Sequence, residues 1–179
     1  MEEKILSSEI FYEGRVVKSL RKDSVMLSNG MVSDREIVEH DPAVVILPFI
    51  SPSEILLIKQ YRHSVKEVLI ECPAGLKEPG ETDMESAQRE LMEETGFTAK
   101  RWQAVGKIYP APGFCNEMLS LFFAMDLIEG QKKLDDDERI ELLSVPIETF
   151  FNWIVLGKIS DAKTVAMAFF LKNLSDGNR

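Results

Sequence analysis

Cysteine is scarce in this chain: Cys72 and Cys115 are the only two among 179 residues. Two thiols cannot build a disulfide framework, so a hydrophobic core has to hold the fold, and both are read as reduced cytosolic thiols. Basic residues are in deficit, 21 Lys and Arg against 30 Asp and Glu, for a net charge of −9. That balance excludes the basic footprint needed for nonspecific binding to nucleic acid or to an anionic membrane. No apolar run approaches the roughly 18 residues of a membrane helix. The opening MEEKILSSEI lacks the basic-then-apolar order of a secretory signal, and a cytoplasmic location is expected. Histidine is represented only by His40 and His63, far apart in sequence, and neither is assigned to catalysis. Internal repeats and low-complexity segments are absent too.

What is present suits a globular protein: 45% hydrophobic and 28% charged residues, enough for one domain with a small appendage. The stretches 9–14 and 15–27 are rich in strand formers, Ser28-Asn29-Gly30 offers a tight turn, and 31–40 reads as the returning strand. Asp41-Pro42 then punctuates the chain, which sets residues 1–40 as an N-terminal β subdomain and 41–179 as the main domain. AVVILPFI at 43–50 is nearly continuous in apolar residues, as a central strand buried on both faces would be. Strands are expected at 54–62, 68–71, 101–110 and 118–126, and another ending near Val145. Helices are expected at 146–157, with Pro146 in the first turn, and at 161–174. The architecture predicted is α/β, a mixed sheet flanked by helices with an additional N-terminal sheet.

A further helix has clear ends. Thr82 and Glu85 form a capping box, Met84, Ala87 and Leu91 make one apolar stripe, and Gly96 stands where a left-handed residue closes the helix. On this helix Glu90 and Glu94 are four residues apart and Glu93 is three from Glu90, so three carboxylates share a face. Like charges so placed repel by a few tenths of a kcal/mol per pair, roughly, and a bound cation removes that cost. Oxygen donors of this kind select Mg²⁺ or Mn²⁺. Arg89, four residues before Glu93, is placed to orient a carboxylate. Gly75 and Gly80 let the preceding loop fold tightly against the helix start. The spacing alone leaves a solvated acidic helix with one internal salt bridge as the alternative.

The full pattern runs Gly-x5-Glu-x7-Arg-Glu-U-x-Glu-Glu-x-Gly-U, with U bulky and apolar, through Gly75, Glu81, Arg89, Glu90, Leu91, Glu93, Glu94, Gly96 and Phe97. This resembles the box of the Nudix hydrolase family; Phe97 departs mildly, being aromatic where an aliphatic residue is usual. Glu71-Cys72-Pro73-Ala74-Gly75 is similar to the lead-in of ADP-ribose pyrophosphatases and related sugar-nucleotide hydrolases, as are REIVEH at 35–40, KQYR at 59–62 and Pro112-Gly113-Phe114.

The resemblance implies a Nudix α/β/α sandwich and metal-dependent cleavage of a nucleoside diphosphate sugar by water. The substrate it favours is ADP-ribose, giving AMP and ribose 5-phosphate. GDP-mannose or a broad range of sugar nucleotides is the alternative within the same chemistry, and a non-catalytic sensor the alternative outside it. It further implies Mg²⁺, with Mn²⁺ as a substitute, held by Glu90, Glu94 and the backbone carbonyl of Ala74, with Glu93 a third ligand or a base. In the acidic loop 135–138 it points to Glu138 as ligand or general base and to Asp136 second, although a solvated turn is the plainer reading. Arg62 would grip phosphate and Glu71 would accept hydrogen bonds from ribose hydroxyls or an amine. Arg15 and Glu36 would reach the nucleotide base of a partner subunit in a homodimer, and Gly113 and Glu117 complete the substrate-binding set. The substrate is a small molecule, with neither nucleic acid nor membrane as partner.

Overall fold

In the computed structural model, which describes residues 2–130 and 139–176, the apolar run becomes β4 (Ala43–Ser51). One edge of β4 pairs in parallel with β9 (Leu119–Glu129). Its other edge pairs antiparallel with β7 (Ala74–Leu76) at the start and with β5 (Glu54–Arg62) at the end. β10 (Ile140–Pro146) and β6 (Glu67–Glu71) add to β5, and β8 (Phe97–Ile108) adds to β9, all antiparallel. The result is a mixed seven-stranded sheet of order β10-β5-β4-β9-β8, with β6 and β7 off that path.

Alternate side chains of β4 explain why its sequence is apolar throughout. Val44 and Ile46, with Phe122 and Ala124 of β9, pack under Ala87 and Leu91 of α1 (Asp83–Thr95). Val45 and Leu47, with Leu121 and Phe123, face Phe150 of α2 (Ile147–Val155) and Met167 of α3 (Ala162–Asp176). Both faces of the sheet are covered by helices, which is the α/β/α arrangement. Each fully buried Leu, Ile or Phe contributes about 1.5–3 kcal/mol by leaving water. Among the described residues no helix is long and apolar enough to cross a membrane.

Several element boundaries differ from the sequence reading, and one strand is additional. β9 runs on to Glu129, and Pro146 ends β10 and precedes α2 instead of lying in its first turn, because it still pairs with Glu54 of β5. β8 starts at Phe97 rather than at 101, because Phe97 to Ala99 already pair with β9. β7 is a three-residue strand with no apolar periodicity of its own, formed by pairing with β4. β1 (Lys4–Glu13) begins earlier than the expected 9–14, extended by pairing with β2 (Val17–Met26).

The chain divides into two units, Met1–Pro42 with Tyr109–Met118, and Ala43–Ile108 with Leu119–Arg179. The first holds a three-stranded antiparallel sheet in the order β1-β2-β3, with β3 at Val32–His40. Gly30 takes φ +85° in the turn between β2 and β3, the conformation the Asn-Gly pair was expected to supply. The segment 109–118 docks on β3, where the Val38 amide donates to the Phe114 carbonyl at 2.7 Å.

Candidate active site

α1 is fastened at both ends by local chemistry. Thr82 Oγ1 accepts from the Glu85 amide at 3.2 Å, and the Glu85 carboxylate accepts from the Thr82 amide at 2.8 Å. Gly96 closes the helix at φ 78°, its amide donating to the Met92 carbonyl. These caps fix where the carboxylates of the second and third turns stand.

Arg89 organises them. Its Nη1 donates to Glu90 Oε1 at 2.7 Å and to Glu93 Oε2 at 3.0 Å, so one guanidinium nitrogen bridges two of the three carboxylates. Nε and Nη2 reach back to Glu81 at 2.9 and 3.0 Å, and Nη2 also donates to the Leu76 carbonyl at 2.8 Å. Hydrogen bonds to this set of carboxylates, Glu81 first, hold the Arg89 pKa above its ordinary value. In return Arg89, and then Ser86, hold the Glu81 carboxyl down at about 2. Glu94 is nearly buried, at 3% exposure, and its Oε2 accepts from the Ala74 amide at 3.0 Å. A Cβ on Gly75 would overlap the Glu90 carboxylate, so the loop can lie against the helix only because residue 75 has no side chain.

Beside this cluster sits a second one, centred on Glu71. Its side chain is 1% exposed, yet burial does not neutralise it. Burial alone would raise its pKa, but hydrogen bonds from Arg62 and the charge of Lys163 outweigh it and hold the carboxyl below its ordinary value. Arg62 grips both Glu71 oxygens, Nε on one and Nη2 on the other, each at 2.8 Å. Lys163 Nζ donates to Glu71 from α3 and to Asp161 Oδ1 at 2.9 Å. Sequence reasoning singled out neither Lys163 nor Asp161; they lie about 90 residues away along the chain, and only the docking of α3 brings them here. Cys72 is wholly buried and its thiol is pushed up to about 12 by that burial, an inert thiol.

In the first unit Glu36 is exposed on β3, and Arg15 is exposed in the link between β1 and β2. A cavity of about 550 Å³ there is lined by Glu36 and Gly113 together with Arg21, Arg35, Tyr109 and Phe114. Glu117 Oε1 stands 3.6 Å from His40 Nδ1, a neighbour the sequence did not suggest. Asp136 and Glu138 lie outside the described residues. A cavity of about 470 Å³ in the second unit, lined by Phe49, Phe123, Phe151 and Leu171 with Arg101 and Asp126 at its polar side, holds none of the expected site residues.

A divalent cation fits the donor chemistry of α1 and its loop. The donors are oxygens throughout, as a hard cation requires. The missing side chain at Gly75 is what admits the Glu90 carboxylate to the loop. Among the described residues no three His, Cys, Asp or Glu side chains form a closed metal cage. A cation here would therefore share backbone carbonyl, water and substrate oxygens with the helix carboxylates, a mode that suits Mg²⁺.

Comparison with known proteins agrees with this geometry. The family model described as the NUDIX domain matches residues 39–166. An ADP-ribose pyrophosphatase of Bacillus subtilis is 36% identical over 96% of this chain and 94% of its own length. A methanol dehydrogenase activator of Bacillus methanolicus is also 36% identical, over 96% of this chain and 93% of its own. A solved structure titled as an ADP compounds hydrolase superposes with a TM-score of 0.88 at 25% identity, covering 99% of this chain and 96% of that one.

Proposed function

The chain belongs to the NUDIX domain family, and from that premise we propose that it hydrolyses the pyrophosphate bond of nucleoside diphosphate sugars, with ADP-ribose as preferred substrate. The observation that carries the reading is the Arg89 bridge, which draws Glu90 and Glu93 together on the helix face beside Gly75. A merely solvated helix has no need of that cost in repulsion. The name of the Bacillus subtilis relative supports ADP-ribose in particular.

In this reaction a water oxygen bonds to phosphorus, the P–O–P bridge breaks, and AMP and ribose 5-phosphate leave. Mg²⁺, with Mn²⁺ as substitute, would be held by Glu90, Glu94 and the Ala74 carbonyl. When bound it supplies neutralisation of the diphosphate and activation of water. Arg89 holds Glu90 and Glu93 in place through one guanidinium nitrogen. Arg62 binds a substrate phosphate through the part of its guanidinium not used by Glu71. Glu138 takes the proton from the attacking water, with Asp136 as the alternate, and Glu93 is the remaining carboxylate able to do so.

The working unit is a homodimer. Every residue of β1 is exposed in the single chain, and Ile5, Ile10, Phe11 and Tyr12 are each 56% exposed, an apolar edge strand that a second copy would cover. Arg15, Glu36, Gly113 and Glu117 supply contacts to the nucleoside. A cytoplasmic setting suits both the substrate and the two free thiols.

A panel assay with Mg²⁺ tests the reading, using ADP-ribose, GDP-mannose, UDP-glucose, dinucleoside polyphosphates and NADH with products identified. The expected result is the highest kcat/KM on ADP-ribose, equal amounts of AMP and ribose 5-phosphate, loss of turnover with EDTA and recovery with Mg²⁺. Preference for GDP-mannose would overturn the substrate, and no turnover on any compound would overturn catalysis.

A further inference from the structure

The cluster around Glu71 holds more charge than binding a ribose hydroxyl would require. Four ionised groups stand in a row of alternating sign: Arg62, Glu71, Lys163 and Asp161. Glu71 is 1% exposed and Lys163 is 15% exposed, whereas Arg62, at the outer end, is 36% exposed. Arg62 uses Nε and Nη2 on Glu71, and Nη1 has no partner among the described residues. One edge of the guanidinium is thus clamped while the other remains for a ligand.

The clamp itself is anchored in the first turn of α3. Asp161 Oδ2 accepts from the Thr164 amide at 3.0 Å and from Thr164 Oγ1 at 2.6 Å, while its Oδ1 accepts from Lys163. Thr164 Oγ1, fully buried, also accepts from the Cys72 amide at 2.8 Å. The helix start therefore grips two consecutive residues, the side chain of Glu71 and the backbone of Cys72, immediately before the turn that leads to Ala74 and Gly75.

We propose that Asp161, Lys163 and Thr164 form a positioning device that aims Arg62 at a substrate phosphate, acting through Glu71. The inference rests on the reading above that Arg62 meets phosphate. Lys163 is the residue that gives the device its electrostatic sense. With Lys163 present, the Glu71 charge is shared between two cations, and Arg62 retains positive charge to offer outward. Without it, Arg62 is the only cation left to a buried carboxylate and is neutralised by it, because a buried charge binds whatever partner remains. Affinity for a diphosphate then falls, although Lys163 touches no ligand.

A plain structural staple between α3 and β6 would instead cost stability without regard to Arg62. A double-mutant cycle separates the two. The full-length protein is compared with Lys163→Met, Lys163→Arg, Arg62→Ala and the double variant Arg62→Ala/Lys163→Met. Two quantities are measured: kinetics on ADP-ribose, and calorimetric affinity for inorganic pyrophosphate, which does not depend on the sugar nucleotide being correctly identified. Lys163→Met is expected to weaken pyrophosphate binding and raise KM by about tenfold, a typical size for disturbing one charge-assisted hydrogen bond, while kcat changes by less than about threefold. Lys163→Arg should recover most of the loss, and in the Arg62→Ala background Lys163→Met should add less than about twofold. Equal losses in both backgrounds, unchanged affinity in Lys163→Met, or a wild type that binds no pyrophosphate would overturn the proposal. If Lys163→Met does not fold, Lys163→Gln runs the same cycle with the same expected losses, since it removes the charge shared with Glu71 and keeps a polar side chain of similar reach. A wild type inactive on ADP-ribose refutes the substrate alone, and the pyrophosphate cycle still decides the role of Lys163.

Discussion

Gly75 shows how much a single position can carry. Its role is a missing side chain: a Cβ there would overlap the Glu90 carboxylate, which accepts from Arg89 at 2.7 Å. Gly75→Ala should leave the circular dichroism spectrum unchanged and displace the Glu90 carboxylate by on the order of 1 Å or more. Displacements of about 1 Å in such sites cost on the order of 10²-fold in rate, and that fall in kcat is expected here. Near-normal kcat in Gly75→Ala would mean that the Glu90 carboxylate can move without loss, and the tight loop–helix approach would lose its functional meaning. The sequence pattern marks Gly75 as required, but the identity of the atom it makes room for emerges only in three dimensions.

At the scale of the element, α1 and the loop before it are tied by Glu81, which precedes the helix and accepts from Arg89 inside it. The Glu81 carboxyl is held down at about 2 from an ordinary value of 4.5, by Arg89 first and by Ser86 next. A depressed folded-state pKa means that the unfolded chain takes up the proton first. The tie therefore contributes fully above about pH 4.5 and is lost as pH falls through about 2. Because the pair is only partly covered, with Arg89 22% and Glu81 21% exposed, solvent screening keeps the contribution modest. Glu81→Gln should lower the melting temperature at pH 7 and match the wild type near pH 2, with the two curves converging across that window. Curves that stay parallel down to pH 2 would show that Glu81 is no anchor for the helix. The capping box and the Arg89–Glu93 pair of this element are legible in sequence, because both close within four residues and follow the helical repeat. The Glu81 and Leu76 bonds of Arg89 span eight and thirteen residues across an irregular loop, where no period predicts the approach.

At the scale of the whole molecule, the exposed apolar face of β1 calls for a partner. Light scattering at low micromolar concentration should give twice the 20.3 kDa chain mass. Phe11→Glu on that strand, where Phe11 is 56% exposed, should shift the mass toward monomer and raise KM more than it lowers kcat, because the nucleoside contacts assigned to Arg15 and Glu36 depend on the second copy. A wild-type protein of clean monomer mass would refute the dimer and those two roles with it.

Sequence alone determined the parts of this protein that obey a short period. The buried strand 43–50, the capped helix, its row of carboxylates and the family pattern running from Gly75 to Phe97 all follow from residue type at fixed spacing. The β7 strand, the early start of β8 and the Glu71 cluster were decided by tertiary structure. β7 exists because β4 offers unpaired backbone groups to a three-residue segment. Lys163 and Thr164 reach Glu71 and Cys72 across 92 residues because both faces of the sheet must be covered and α3 covers one of them. Such contacts are selected by packing and by the cost of leaving Glu71 buried without a partner, neither of which leaves a local mark in the chain.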